Sequence, residues 1–201
     1  MIDRYLRSAK DKVLCFTAKA LQKIHPNYLS LSALAIGLMG ACALALGHYG
    51  LGLALWLFNR YIDGLDGAVA RISQQQSDQG GYLDIICDFA IYALLPIALT
   101  ISLPTPSNLW ALVALLSSFY INAASWMYLA ALLEKRAVKH SLTSIIMPAG
   151  LIEGAETILF FSLFMLFPEH LYQLFSLMAT LVIITVIQRL WWVFRRLSRE
   201  L

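Results

Sequence analysis

Apolar windows of roughly 20 residues recur along the whole chain, the length a helix needs to cross the hydrocarbon core of a bilayer. Their limits predict six spans, at about 29–47, 51–72, 80–103, 108–133, 143–167 and 171–194. Turn signals separate the first four: His48-Tyr49-Gly50, the polar run 73–79, and Pro104-Thr105-Pro106. Ahead of the first span the pattern changes. Ile2, Leu6, Ala9, Val13, Phe16, Ala20 and Ile24 recur at helical spacing, with Arg4, Arg7, Lys10, Lys12, Lys19 and Lys23 on the remaining surface. That pattern predicts an amphipathic helix lying in the membrane interface. The segment is too charged for a cleavable signal peptide. No linker, low-complexity stretch or internal repeat interrupts the chain. The expectation is therefore a single all-α integral membrane domain over 1–201, with an interfacial helix over 1–25 and a six-helix membrane bundle over 26–201.

Composition sharpens this reading. The 201 residues are 60% hydrophobic and 13% charged, whereas about a quarter of the residues of a soluble domain are charged. Membrane lipids are the expected surroundings, and no nucleic-acid partner is expected. Cys15, Cys42 and Cys87 all fall in helical segments, and an odd number argues against a disulfide framework.

Basic residues set an orientation. Six precede the first span, Lys135, Arg136 and Lys139 lie between the fourth and fifth, and Arg195, Arg196 and Arg199 follow the sixth. The loops after spans one, three and five carry none. By the positive-inside rule both termini and the 73–79 loop are expected in the cytoplasm.

Against this apolar background four acids stand out: Asp63 and Asp66 near the end of span two, Asp84 and Asp88 near the start of span three. An intramembrane carboxylate is costly and marks a functional site by default. Spacings of three and four put each pair on one helix face. Two antiparallel spans joined by a short loop would let the pairs face each other across a cavity open to the cytoplasm. Four carboxylates in one cavity repel unless a counterion is present. All-oxygen ligands favour Mg²⁺ or Mn²⁺, with Ca²⁺ the third option. Two such ions would clamp a diphosphate. Gly67 and Ala70 lie on or beside the first acidic face and leave room for a ligand. Gly80 and Gly81 open span three, where a helix N-terminus welcomes phosphate. Arg71 is placed to meet a phosphate or a neighbouring acid.

Read together, Asp63, Asp66, Gly67, Ala70, Arg71, Gly80, Asp84 and Asp88 spell D-x-x-D-G-x-x-A-R-x₈-G-x-x-x-D-x-x-x-D. This resembles the signature of the CDP-alcohol phosphotransferase (CDP-alcohol phosphatidyltransferase) family, with every fixed position present. At average residue usage such a match arises by chance on the order of 10⁻¹⁰ per start position. His25-Pro26-Asn27-Tyr28-Leu29-Ser30, before and into span one, resembles the family's Pro-Asn…Thr segment, with serine in place of threonine. The resemblance implies a small bacterial inner-membrane enzyme with its active site on the cytoplasmic side. Asp63, Asp66, Asp84 and Asp88 would bind two Mg²⁺ or Mn²⁺ ions. Asp88 would also be the catalytic general base on the acceptor hydroxyl. Asn27, Asp66, Gly67, Ala70, Arg71 and Gly80 would form the CDP site. The reaction implied is attack of an alcohol on the β-phosphorus of a CDP-alcohol, with CDP-diacylglycerol the expected donor, release of CMP, and a place in phospholipid biosynthesis. The resemblance also implies a homodimer.

The acceptor is less legible. An anionic alcohol needs basic groups, for which Lys135, Lys139 and Arg189 are candidates, Arg189 foremost because apolar residues flank it inside span six. The loop 135–140 equally suits a purely topogenic role. Glu153 and Glu156 form a second acidic pair on one face of span five. They would either pair with Arg60 or Arg189, or bind acceptor hydroxyls or an amine. Other readings remain open: CDP-choline- or CDP-ethanolamine-type donors with a lipid acceptor, a UbiA-type prenyltransferase, or a cation transporter using the four aspartates. The prenyltransferase reading asks for a longer chain. The transporter reading leaves Gly67, Ala70, Arg71 and Gly80 unexplained.

Overall fold

The structure, a computed structural model, describes residue 14, residues 16–140 and residues 150–196. Those residues are helical apart from turns and short connections. Six helices are present among them: α1 (Pro26–Ala45), α2 (Tyr49–Ile72), α3 (Asp78–Ser102), α4 (Pro106–His140), α5 (Gly154–Leu166) and α6 (Leu171–Arg196), with one 3₁₀ turn at Pro168–His170. Four meet the length and hydropathy of a membrane span: α1, α3, α4 as far as Lys135, and α6 together with the preceding turn. Helix α2 is long enough but carries Arg60, Asp63, Asp66 and Arg71 along its length. Helix α5 has 13 residues, about 20 Å at a 1.5 Å rise, short of a hydrocarbon core of about 30 Å. It begins at Gly154 rather than near 143, and 150–153 are not helical; residues 143–149 lie outside the described residues. The basic run expected as a loop at 135–140 instead continues α4 to His140. Most of the proposed interfacial helix, residues 1–13 and 15, lies outside the described residues.

The chain divides into two compact units, Met1–Thr105 with Ile158–His170, and Pro106–Thr157 with Leu171–Leu201. In the first, α1 packs along both α2 and α3. Small residues make this possible. A Cβ on Gly37 would run into Ile91 of α3 and the amide of Asn59 on α2, and one on Gly52 would run into Leu44. Close approach through small residues is how membrane helices gain packing energy where lipid removes the hydrophobic drive. Helix α1 ends in a Schellman turn: Gly47 adopts φ 80°, His48 N–H donates to Ala43 O and Gly47 N–H to Leu44 O.

A helical stretch at 16–20 precedes α1. Leu14 and Ala18 are buried in a cluster with Leu29, Leu65, Ala68 and Val69, and Leu21 packs against it. Thr17 Oγ1 lies 2.8 Å from Tyr61 OH. The face expected to be apolar is offset from this one: Phe16, Ala20 and Ile24 are exposed, and Phe16 is 84% accessible. Protein contact runs through 14, 18 and 21, which leaves Phe16 and Ile24 for lipid.

In the second unit α4 packs along α6. The segment before α5 docks on α6 through Thr185 Oγ1, which accepts from Leu151 N–H and Ile152 N–H at 3.1 and 3.2 Å.

Candidate active site

Each acid owes its place to local signals in its helix. Ser77 caps α3 by accepting from Gly80 N–H at 3.1 Å, which sets the register that carries Asp84 and Asp88. Helix α2 ends at Ile72, one residue beyond Arg71; Gln74 then adopts φ 56° and Gln75 N–H reaches Ala70 O. Asp63, Asp66 and Asp84 come together so that one carboxylate oxygen of each lies within 4.8 Å of the others. Asp66 is buried, and Ser30 Oγ on α1 donates to its Oδ2 at 2.5 Å. The site therefore draws on three helices.

Asn27, Asp66, Gly67, Ala70, Arg71, Gly80 and Asp84 all line one cleft of about 170 Å³, together with Ser30 and the Gln75–Ser77 turn. Every residue assigned to a CDP site by resemblance is on its wall. The glycines matter for space: a Cβ on Gly80 would sit 3.2 Å from both Asn27 Oδ1 and Ser77 Oγ, and one on Gly67 3.3 Å from Arg71 Nη1.

Asp88 is not in the three-carboxylate group. Arg60 Nη2 lies 2.8 Å from its Oδ1, a charge contact rather than an aligned hydrogen bond, and Tyr92 OH donates to Oδ2 at 3.3 Å. Arg60 Nη1 also sits 3.4 Å from Asp63 Oδ2. The acids of α2 and α3 face each other as expected; the expectation left out this arginine beside them. The signal was local: Arg60 is three residues before Asp63, and Tyr92 four after Asp88, both on-face spacings. Trp56, four residues before Arg60, carried the same signal, whereas Asn59, its chain neighbour, did not.

The acceptor candidates lie apart from these acids in the chain's division, within the second unit. Glu153 and Glu156 serve the start of α5. Glu156 Oε2 accepts from Glu153 N–H at 3.2 Å and Glu153 Oε1 from Gly150 N–H at 3.0 Å. The first of these is the return half of a capping box. Arg189 is buried; its Nη1 donates to Asn122 Oδ1 at 2.9 Å and Ser125 Oγ at 3.2 Å. Arg60, the other expected partner, is engaged by Asp63 and Asp88. Lys135 is exposed on α4, and Lys139 has its backbone in α4 with its side chain outside the described residues.

The donor set of Asp63, Asp66 and Asp84 fits a hard divalent cation: three carboxylates, oxygen ligands throughout, and no competing nitrogen or sulfur in the group. Helix length, apolar composition and a carboxylate-walled cleft define an integral membrane protein that handles a polar group at its acids.

The chain belongs to the CDP-alcohol phosphatidyltransferase family, whose profile it matches over residues 23–194; it is a membrane phosphotransferase. It is 36% identical over 199 residues to inner membrane protein YnjF of Escherichia coli, covering 95% of this chain and 94% of that protein. It is 29% identical over 114 residues to the bifunctional IPC transferase and DIPP synthase of Archaeoglobus fulgidus, covering 56% of this chain and 22% of that one. Its fold is similar to that of Mycobacterium tuberculosis phosphatidylinositol phosphate synthase PgsA1. The match to the form with CDP-DAG bound has a TM-score of 0.67 at 20% identity, covering 89% of this chain and 92% of that one. The match to the form in complex with manganese and citrate has 0.68 at 22%, covering 90% and 88%. At these identities the likeness speaks to fold.

Proposed function

We propose that this chain transfers the phosphatidyl group of CDP-diacylglycerol to an alcohol and releases CMP, as a step of phospholipid synthesis at the cytoplasmic face of an inner membrane. The observation that carries this is the convergence of Asn27, Gly67, Ala70, Arg71 and Gly80 on one cleft whose wall includes Asp66 and Asp84. Relatives support the choice of donor and membrane: the fold neighbour binds CDP-DAG and the long-range relative is an inner membrane protein.

Asp63, Asp66 and Asp84 would hold a divalent cation, Mg²⁺ or Mn²⁺. When bound, that ion would neutralise diphosphate charge and stabilise the leaving oxygen. Asn27, Gly67 and Gly80 would admit the cytidine diphosphate, and Arg71 would meet its phosphate. Asp88 would accept the proton of the acceptor hydroxyl as its oxygen bonds to the β-phosphorus. The bond from that phosphorus to the bridging oxygen breaks, and the electron pair leaves with CMP. Arg60 and Tyr92 orient Asp88, whose remaining lone pairs can still take a proton.

For the acceptor, Arg189 is the candidate with an unused donor, since its buried Nε has no hydrogen-bond partner among the described residues. An anionic alcohol is the chemistry it would suit. Glu153, Glu156, Lys135 and Lys139 take second place. The chain is proposed to act as one domain over 1–201 and to assemble as a homodimer.

The test is CMP release and lipid product from purified protein with CDP-diacylglycerol, Mg²⁺ or Mn²⁺, and a panel of alcohols. Asp88→Asn should abolish acceptor-dependent turnover while CDP still raises the melting temperature. If no alcohol yields CMP and the protein instead moves ions across liposomes, the proposal is wrong.

A further inference from the structure

The motif fixes Arg71 and Gly80 and leaves the eight residues between them open. Two of those eight, Gln75 and Gln76, nevertheless line the cleft. Their backbone is fixed from both sides. Upstream, Ser73 N–H donates to Val69 O at 2.8 Å and Gln75 N–H to Ala70 O at 2.9 Å, with Gln74 in a left-handed position between them. Downstream, Ser77 Oγ accepts from Gly80 N–H at 3.1 Å. The glutamines stand on a short bridge held at its ends by the two helices that carry the acids, and both are exposed. Other polar groups of the cleft are already engaged. Ser30 donates to Asp66. Asn27 Oδ1 lies against Gly80, and Arg71 lies over Gly67, a cation suited to a phosphate. None of the described residues that line the cleft is aromatic. A base there is not held by stacking on a ring, the usual grip that tolerates any base. What remains is hydrogen bonding to its edge.

We infer that Gln75 and Gln76 hold the nucleobase of the donor by its polar edge, through their side-chain amides. The inference rests on the CDP reading of the cleft in the proposed function and deepens it. A carboxamide carries a donor and an acceptor side by side. Cytosine presents the complement, an exocyclic amino donor beside a ring-nitrogen acceptor. A primary amide meets such a pair bidentately, as it does the equivalent pair on adenine. Neither a carboxylate nor an ammonium offers both halves. Because the backbone of the bridge is already fixed, binding has only the two side chains to order. Gln75 and Gln76 are accordingly specificity-determining residues, touching the donor away from the reacting phosphorus.

The experiment is calorimetric titration of the detergent-solubilised full chain with CMP and with ribose 5-phosphate, Mn²⁺ present in both. The two probes share a sugar phosphate and differ in the base. The unaltered protein should bind CMP about tenfold more tightly than ribose 5-phosphate, or better. The double variant Gln75→Met/Gln76→Met keeps side-chain length and removes both amides. It should bring CMP down to the affinity of ribose 5-phosphate and leave the latter unchanged. A double variant that keeps the full advantage of CMP overturns the inference and leaves the proposed function standing. So does an unaltered protein that binds the two probes equally. No binding of CMP, together with no CMP released from CDP-diacylglycerol by any alcohol, overturns both. Should the double variant fail to fold, the single variants decide. Each should lose about threefold in CMP affinity, and unchanged affinity in both overturns the inference.

Discussion

Ser30 joins two helices at the site with a single hydroxyl, donating from α1 to the buried carboxylate of Asp66 on α2. The sequence marks Ser30 as a hydroxyl in a motif-like position, but its partner lies 36 residues away and is invisible to local spacing. Ser30→Ala leaves that buried oxygen without its donor, a loss of about 1–3 kcal/mol. We expect KM for the CDP-alcohol to rise by about tenfold, with recovery in Ser30→Thr; unchanged steady-state kinetics would remove Ser30 from the site. Other residues were legible one by one. Asp63, Asp66 and Asp84 were found from cost and spacing, and they converge. Asp88 was found by the same signal; it lies against Asp63 but outside that three-oxygen group, and Arg60 and Tyr92 hold it. The difference is that a helical pattern assigns a face, whereas the partner on that face is chosen by neighbours from other helices. Glu153 and Glu156 show the opposite outcome. Their spacing of three suggested ligands, and the same spacing makes a helix cap once α5 starts at Gly154.

Among the elements, α1 is the wedge on which α2 and α3 both rest. Its Gly37 faces Ile91 and the Asn59 amide with no room for a side chain. Gly37→Val should therefore destabilise the protein by about 1–3 kcal/mol through overpacking, read as a lower melting temperature in detergent. Because Asn59 holds Arg60, activity should fall by more than stability alone accounts for. An unchanged melting temperature would contradict the close packing. The end of α2 carries the reverse situation. Gln74 occupies a left-handed position, φ 56°, that closes a Schellman turn beside the cleft. Gln74→Gly should raise stability by about 1 kcal/mol, seen as a higher melting temperature; a decrease would mean that the glutamine side chain contributes a contact of its own. Helix α5 was the least legible element. Its apolar run continues upstream of Gly154, so hydropathy alone extends it, whereas the chain breaks the helix there and satisfies the freed backbone groups with Thr185 Oγ1 and two glutamates.

For the whole molecule, the testable matter is orientation. If both termini and the 73–79 turn are cytoplasmic as proposed, Gln75→Cys in a cysteine-free background should react with a membrane-impermeant maleimide in inverted vesicles. It should not react in intact spheroplasts, and the opposite labelling pattern would invert the topology. The chain by itself determined that it is helical and membrane-embedded, which residues form the acidic motif, and which family it belongs to. All three are written in local periodicity and fixed spacing, which survive without knowledge of any distant contact. Only the tertiary structure decided how the four acids divide. Three meet at a cation-sized site, and the fourth lies against Asp63 and is held by an arginine that sits over the rings of Trp56 and Tyr92. That division depends on α1 setting the separation of α2 from α3, on Trp56 and Asn59 fixing Arg60, and on a serine from a third helix reaching Asp66. Such contacts form between residues far apart in the chain, and helical spacing fixes a side chain's direction without fixing what it will meet.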